Sequence, residues 1–456
     1  MRQLEALAQA LTFILTPALF FYFTPLRAHA AAGDLDSFGV GGKVVTDVSQ
    51  TPDPFNPDSA EEAAQDVAIQ PDGKIIAVGF AINPANNTSD FAVIRYNPDG
   101  SLDRSFGIGG QVLTDFNHST DIAFAIALQA EKIVVAGLAS TPNLVRTFAV
   151  ARYTSNGELD QSFGTAGKVM VFFNKNFKNG ESFGPLVDSM IWDVAIQSDG
   201  KIVLAGDTDA KFGFARLNPV DGSLDLTFGT GGKTIFSLGE RRGGSAAYSV
   251  ATQIVDSEER IVAAGYAGTV RGVIDFALMR LRSDGTPDLT FGSQGKVITA
   301  FSRGEDFAND LVIDGSNRIV AAGYSSPNFA IARYNVDGSL DLTFDGDGKV
   351  TTDFFGFIDQ GNSVAIQPDG KMVVAGFTCT FCSPDSSSVD FALARYNSNG
   401  SLDNSFGANG KLITDFSGQN AAASALALQP DSKVVLLGTT FTDVARSFAL
   451  ARYLLE

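Results

Sequence analysis

Side chains able to do chemistry are few in this chain, and they are unevenly spread. It has two histidines in 456 residues, and beyond the first 30 residues His118 stands alone. It would be the sole imidazole for any triad, and no metal-binding His pair or nucleophile elbow is written. Carboxylates abound: 51 Asp and Glu stand against 33 Lys and Arg. Asp66, Asp193 and Asp310 occupy one recurring point of the sequence, which Ser363 and Ala425 take in other copies. Convergent carboxylates suit a hard cation such as calcium or acid/base work; the plainer role is to accept backbone N–H groups at a strand start. A two-carboxylate glycosidase stays open, since the carboxylate separation is not legible. Trp192, the one tryptophan, precedes Asp193 and reads as a stacking platform for a sugar or as core. Arg241, Arg242 and Arg303 stand in neighbouring loops, as a spot for an anionic group or as solvated surface. Asn97–Asp103 and Asp341–Asp347 look faintly like calcium loops but lack the full spacing and the distal Glu; they read as turns.

The elements that position these residues come from a repeat. KIIAVG from Lys74, KIVVAG from Lys132, KIVLAG from Lys201, RIVAAG from Arg260 and from Arg318, KMVVAG from Lys371 and KVVLLG from Lys433 are copies of one strand. Each is followed by a run such as FALARY, with arginine fifth: Arg95, Arg152, Arg216, Arg280, Arg333, Arg395 and Arg452. A polar turn and a run such as NPDGSLDRSFGIGGQVLTDF come next, whose Phe recurs at spacings of 53 to 68 residues. One unit reads as four short strands: A (VAIQ, Val67–Gln70), B (KIVVAG), C (FALARY) and D (GKVITDF). Pro-Asp-Gly at 71–73 and 368–370 is hairpin-turn chemistry between A and B. The fourth copy, Ser249–Gly265, reads with a longer, acidic A–B turn, and Leu281 replaces the usual Tyr.

Strands B and C are apolar on both faces, so each sheet must be covered on both sides. Four-stranded antiparallel sheets stacked around an axis meet that demand, which is an all-β propeller. The chain opens on a lone D unit, Gly33–Val48, and closes on a lone C strand, Phe448–Tyr453. Seven blades close if the N-terminal strand completes the last one, with Lys43–Asp47 outermost beside Phe448–Tyr453. Each C-strand Arg needs a partner if buried, and each C–D run supplies an Asp: Arg95/Asp103, Arg152/Asp160, Arg216/Asp225, Arg280/Asp288, Arg333/Asp341 and Arg395/Asp403. Arg452 has no later Asp, and closure assigns it Asp36. These pairs are structural.

The phrase AIQPDGK…AG…DFALARYN.DGSLD.SFG..GKV.TDF, best seen at Ala365–Phe416 and Ala68–Phe116, resembles the delta-60 repeat family of bacterial β-propeller proteins. The resemblance covers about residues 33–453. It implies a propeller and an exported protein, and it implies little about activity.

A net charge of −18 argues against sequence-independent nucleic-acid binding, which needs a basic track, and against attraction to anionic membrane. Residues 1–30 read as a signal peptide: Arg2, the apolar run Leu11–Phe23, and the small-x-small site Ala28-His29-Ala30. The run is short for a span and contains Pro17, so no stable membrane span is expected after cleavage. Residues 31–456 form one propeller domain. In an exported protein Cys379 and Cys382 read as a small disulfide loop, with free thiols, a redox pair or half a zinc site as alternatives. D–A and B–C loops share one face and vary between copies, whereas A–B turns and C–D runs stay nearly constant. Variable loops on a fixed scaffold are where binding sits. The expectation is an exported, monomeric binding or scaffold module for a protein, glycan or small molecule, with no required cofactor and calcium as an option. The alternatives are a metal-assisted hydrolase or lactonase-like enzyme at the channel mouth, or an envelope structural protein.

Overall fold

The computed structural model describes residues 31–49, 62–83, 88–178, 181–239, 244–268, 273–383, 386–442 and 445–456, without side-chain detail at 175–178, 181–184, 381–383 and 386–387. Seven four-stranded antiparallel sheets and one two-stranded ribbon account for its strands. Blade 1 runs A to D through Ala63–Ile69, Ile75–Asn83, Thr88–Tyr96 and Gln111–Thr114. Blades 2 to 6 repeat that order, and the fold is a seven-bladed β-propeller. Blade 7 takes its D strand from the other end of the chain. Lys43–Thr46 pairs with strand C, Lys43 opposite Ala451 and Thr46 opposite Phe448. Among the described residues no helix is long and apolar enough to cross a membrane.

Apolar runs on both faces of strands B and C make the interior. Ile75 to Val78 and Phe91 to Ile94 are fully buried. The core is divided into seven clusters, and each draws on two adjacent blades. A blade alone would therefore leave both faces wet.

The repeated arginine lies in these junctions. Its Nε is 2.8 Å from the partner Asp in Arg95/Asp103, Arg216/Asp225, Arg280/Asp288 and Arg333/Asp341, and 2.9 Å in Arg152/Asp160 and Arg395/Asp403. Arg452 reaches Asp36 through Nη2 at 2.8 Å, across the chain termini. The same Asp also meets the basic residue that opens strand B, as in Lys74/Asp103 at 3.1 Å and Arg318/Asp341 at 2.9 Å. Each Arg Nη1 donates to a carbonyl in the next blade's turn: Ser155, Pro219, Ser283, Val336, Ser398, Leu455 and, for Arg452, Pro98. The guanidinium lies over the repeated Phe, 4.3 to 4.8 Å from its centroid in every copy. The arginine thus pins its own C–D run and clasps the following blade.

A second inter-blade bond follows the same logic. The Tyr ending strand C donates to the Thr ending the preceding blade's strand D, Tyr96 to Thr46, Tyr153 to Thr114, Tyr334 to Thr299 and Tyr396 to Thr352. Where Leu217 and Leu281 replace the Tyr, Val171 and Phe236 replace the Thr. The fourth copy differs from its expected form. Its A and B strands are extended to Val255 and Glu258, which pair across a two-residue turn, Asp256-Ser257. Both turn residues have positive φ, 52° and 64°, as a two-residue hairpin requires. The D–A connection from blade 2 to blade 3 contains a ribbon, Asn174–Lys178 paired with Glu181–Leu186.

Two outcomes are expected. Arg333→Ala should cost about 3–5 kcal/mol, the range for breaking a buried pair, measured by urea unfolding; a wild-type midpoint would refute the clasp. Burial pushes Asp341 upward, but donors from Thr343 and the Arg333 charge outweigh it and hold the carboxyl at about 2. A depressed carboxyl contributes stability above its unfolded value, near ~4, that is lost as pH falls toward about 2. Asp341→Asn should flatten the acid limb of the melting-temperature profile in that window.

Candidate functional site

Every inner strand is bulged. The A–B register shifts once in each blade, at 64/66, 123/125, 191/193, 247/249, 308/310, 361/363 and 423/425. The extra residue is Gln65, Phe124, Trp192, Tyr248, Asn309, Asn362 or Ser424. A bulge re-aims a side chain, and these seven line a cavity of 510 Å³ with Phe307, Tyr324 and Gln360. The glycine ending each KIVVAG run is the other half of the device. A Cβ on Gly79, Gly137, Gly206, Gly265, Gly323, Gly376 or Gly438 would lie 1.8 to 2.0 Å from a strand A carbonyl oxygen beside the bulge. Backbone approaches backbone there, and no side chain fits.

The ring is divided by chemistry. Blades 2, 3 and 4 supply aromatics, with Phe124 4.6 Å from Trp192 and Trp192 5.3 Å from Tyr248, centroid to centroid. Tyr266, Phe307 and Tyr324 continue the arc at 5.5, 5.2 and 6.3 Å steps. The enclosed Trp192 indole N–H meets no acceptor. Blades 5, 6, 7 and 1 supply amides and a hydroxyl. Asn309 Nδ2 donates to the Gly361 carbonyl, Asn362 Nδ2 to Ala423, both at 2.8 Å, and Ser424 Oγ to Ala64 at 3.0 Å. Each holds the bulge of the next blade. Gln360 Nε2 donates to Asn362 Oδ1 at 2.9 Å, and Gln65 lines the same wall.

One residue further in, a second ring surrounds a 120 Å³ space and contains Asp66, Asp193, Asp310, Ser249 and Ser363. The three carboxylates act as staples. Asp66 accepts the N–H of Val67 at 2.7 Å and of Ile126, in the next blade, at 2.8 Å. Asp193 accepts from Val194 and Val250, both at 2.7 Å. Asp310 accepts from Leu311 at 2.7 Å and Val364 at 2.8 Å, and takes the Ser249 and Ser363 hydroxyls at 2.9 and 3.0 Å. Both oxygens of each carboxyl are engaged, as in the plainer reading of these residues. Burial pushes Asp66 up to about 7 and Asp193 up to about 8, and raises Asp310.

The other candidate residues lie elsewhere. Arg303 is exposed between strands D and A. Arg241 and Arg242 lie outside the described residues. Cys379 is buried in strand B of blade 6 and disulfide-bonded; the side chain of Cys382 is outside the described residues. In the turns resembling calcium loops, carboxylates cap their own backbone, as Asp99 and Asp341 do toward the N–H of Ser101 and Thr343. Sequence reasoning began strand A at Val67 and so missed the bulged residues Gln65, Phe124, Tyr248, Asn309, Asn362 and Ser424. The constant glycine opposite them was the available signal.

Fold and channel define a repeat-built β-propeller. Six segments, 70–106, 132–163, 197–228, 260–291, 315–344 and 367–406, match the family model described as "Domain of unknown function (DUF5122) beta-propeller". Repeats of this kind thus recur over the chain and support a bacterial β-propeller repeat family. No curated protein matches the chain. Similar solved structures include a catalytically inactive virginiamycin B lyase from Staphylococcus aureus with quinupristin, at 8% identity over 90% of this chain and 98% of that one, TM-score 0.39. An α-L-arabinofuranosidase from Fusarium graminearum with an iminosugar inhibitor shares 9% identity over 92% and 97%, TM-score 0.42. Extracellular domains of Drosophila Semaphorin 1b share 9% over 93% and 88%, TM-score 0.42. None of these likenesses bears on chemistry.

Asp193 provides a check on the staple. A carboxyl raised to about 8 contributes stability below its unfolded value, near ~4, which is lost as pH rises through about 8. Asp193→Asn should reduce the fall in melting temperature between pH ~4 and about 8. It should also cost about 1–3 kcal/mol, because an amide keeps one acceptor oxygen where Val194 and Val250 each donate an N–H. An unchanged pH profile would count against the burial of this group.

Proposed function

We propose that the protein is an exported, non-catalytic binding module that takes a neutral polyhydroxylated ligand, a saccharide unit, in the mouth of its channel. The observation that carries this is the divided ring. An arc from Phe124 to Tyr324 offers apolar faces to the C–H surface of a sugar ring, and the facing Asn309, Asn362, Gln360 and Gln65 offer amides to its hydroxyls. A 510 Å³ cavity lies within the roughly 300–1,000 Å³ of ligand sites. A net charge of −18 and the carboxyls beneath disfavour anions. The mouth lies where strands A begin and strands B end, beside the variable D–A and B–C loops. Export rests on residues 1–30, and the repeat text favours the delta-60 group. An acid/base or metal-assisted hydrolase at this mouth would have to recruit Asp66, Asp193 and Asp310 away from the N–H groups they hold.

Trp192 gives the test its own reporter. Titration with neutral oligosaccharides should change its fluorescence saturably. Asn309→Ala should weaken binding at least tenfold, which is about 1.4 kcal/mol. A Trp192→Ala variant, followed by calorimetry, should weaken it likewise. Release of a cleaved product would favour the enzyme reading, and silence to every saccharide would sink the proposal.

A further inference from the structure

Between blades 1 and 2, on the face that carries the channel mouth but away from the axis, three carboxyls converge. Asp90 starts the apolar part of strand C in blade 1, Asp115 follows strand D, and Asp121 opens strand A of blade 2. One oxygen from each lies within 4.8 Å of the others. Asp90 and Asp121 are fully buried.

Clustering alone is no argument, but Asp121 adds an independent one. Its Oδ2 accepts the Phe116 N–H at 2.7 Å, while its Oδ1, buried, meets no donor. The copy in blade 6 shows what is lacking. Asp359 accepts the Phe354 N–H in the same way, at 2.7 Å, and its second oxygen receives the Thr378 hydroxyl at 2.6 Å. Thr378 stands opposite Asp359 across the A–B ladder, and Ala139 stands opposite Asp121. The hydroxyl has been replaced by a methyl, and Asp90 has been added beside the orphaned oxygen, where Asp115 has its counterpart in Asp353 of blade 6.

Asp90 accepts from Asn83 Nδ2 at 2.6 Å and Thr88 Oγ1 at 3.0 Å. Asp115 meets the exposed His118 at 2.8 Å. The nearby Lys168 ammonium is committed to the Asp115 carbonyl at 2.8 Å, over the Phe116 ring. Three carboxylates in such a space need positive charge or protons.

We propose that Asp90, Asp115 and Asp121 form a binding site for a hard divalent cation, of the calcium type, bridging blades 1 and 2. The donors are all oxygen, as such ions require, and oxygens at 2.3–2.6 Å from a common centre fit a spread of 4.8 Å. The ion would tie the start of a variable loop to the preceding blade, and this does not depend on what the channel mouth binds.

The test uses the full chain after chelation, with calcium chloride as probe at pH 8. Calcium should produce a saturable rise in melting temperature, on the order of a few degrees. Ala139→Thr should restore the donor seen at Thr378. It should leave the metal-free melting temperature unchanged or raised, and weaken the calcium response at least tenfold. Asp115→Asn should weaken the response without touching the core. A rise that persists in both variants would place the ion elsewhere. No response to calcium, magnesium or manganese, with stability gained only on lowering the pH, would show a shared proton instead. Either result overturns the site.

Discussion

A buried arginine at every blade junction is the constraint on which the fold depends. An ionised guanidinium a few per cent exposed, such as Arg280 at 1%, is tolerable only if each donor is met. No blade meets them alone. Its own C–D run supplies the carboxylate, the repeated Phe supplies a face, and the turn of the following blade supplies the carbonyl. The seventh arginine makes the point sharpest. Arg452 would face a junction with no Asp and no following turn if the chain stayed open. Asp36 and the Pro98 carbonyl meet it, and both come from the other end of the sequence. Repeat proteins are usually quasi-one-dimensional, with free ends needing caps; here the charge requirement joins the ends.

The clasp also explains why one face of the molecule is constant. Arg, Asp, Phe, the Ser or Thr after the Asp and the basic residue of strand B all lie toward the C–D and A–B connections, and changing any one leaves a buried charge unmet. The opposite face carries a different requirement. The bulge and its facing glycine fix the backbone, while leaving the identity of the bulged residue free. Gln, Phe, Trp, Tyr, Asn, Asn and Ser occupy one structural position. A scaffold that fixes geometry and leaves side-chain type open is what a ligand ring needs.

This difference decided what the sequence made legible. The arginine partners could be paired in order, because an unpaired buried charge is forbidden and one Asp recurs at a matching distance; the Asp36 assignment followed from strand counting. The channel ring was hidden because its members share no chemistry, and strand A was begun at Val67, where alternation becomes regular, short of the true start at Ala63. Gly79 and its copies marked the bulge, but the sequence shows them only as the last residue of strand B. Only the 1.9 Å approach of a built Cβ to the Ala63 carbonyl exposes the reason. The fourth A–B connection was misjudged because Asp256 and Ser257 gave no Gly or Asn to signal positive φ. The shared use of Asp103 by Lys74 and Arg95 was likewise invisible, since strand B shows a cation but not the strand toward which it leans.

The same residue type serves opposite ends here, and the number of donors separates them. Asp341 receives the Thr343 hydroxyl and N–H, Arg333 and Arg318, and stays ionised well below the usual range. Asp193 receives two N–H groups, with Asp310 and Asp66 acting on it, and burial prevails. Asp121 receives one N–H and has neighbours of its own sign. Moving from the constant face to the variable face, cationic partners fall away while buried carboxyls persist. Structural need accounts for the first group fully and for the second largely, through the inter-blade N–H groups. It leaves Asp121 with an unmet oxygen, and an oxygen of that kind marks where the protein has more charge than its own donors can hold.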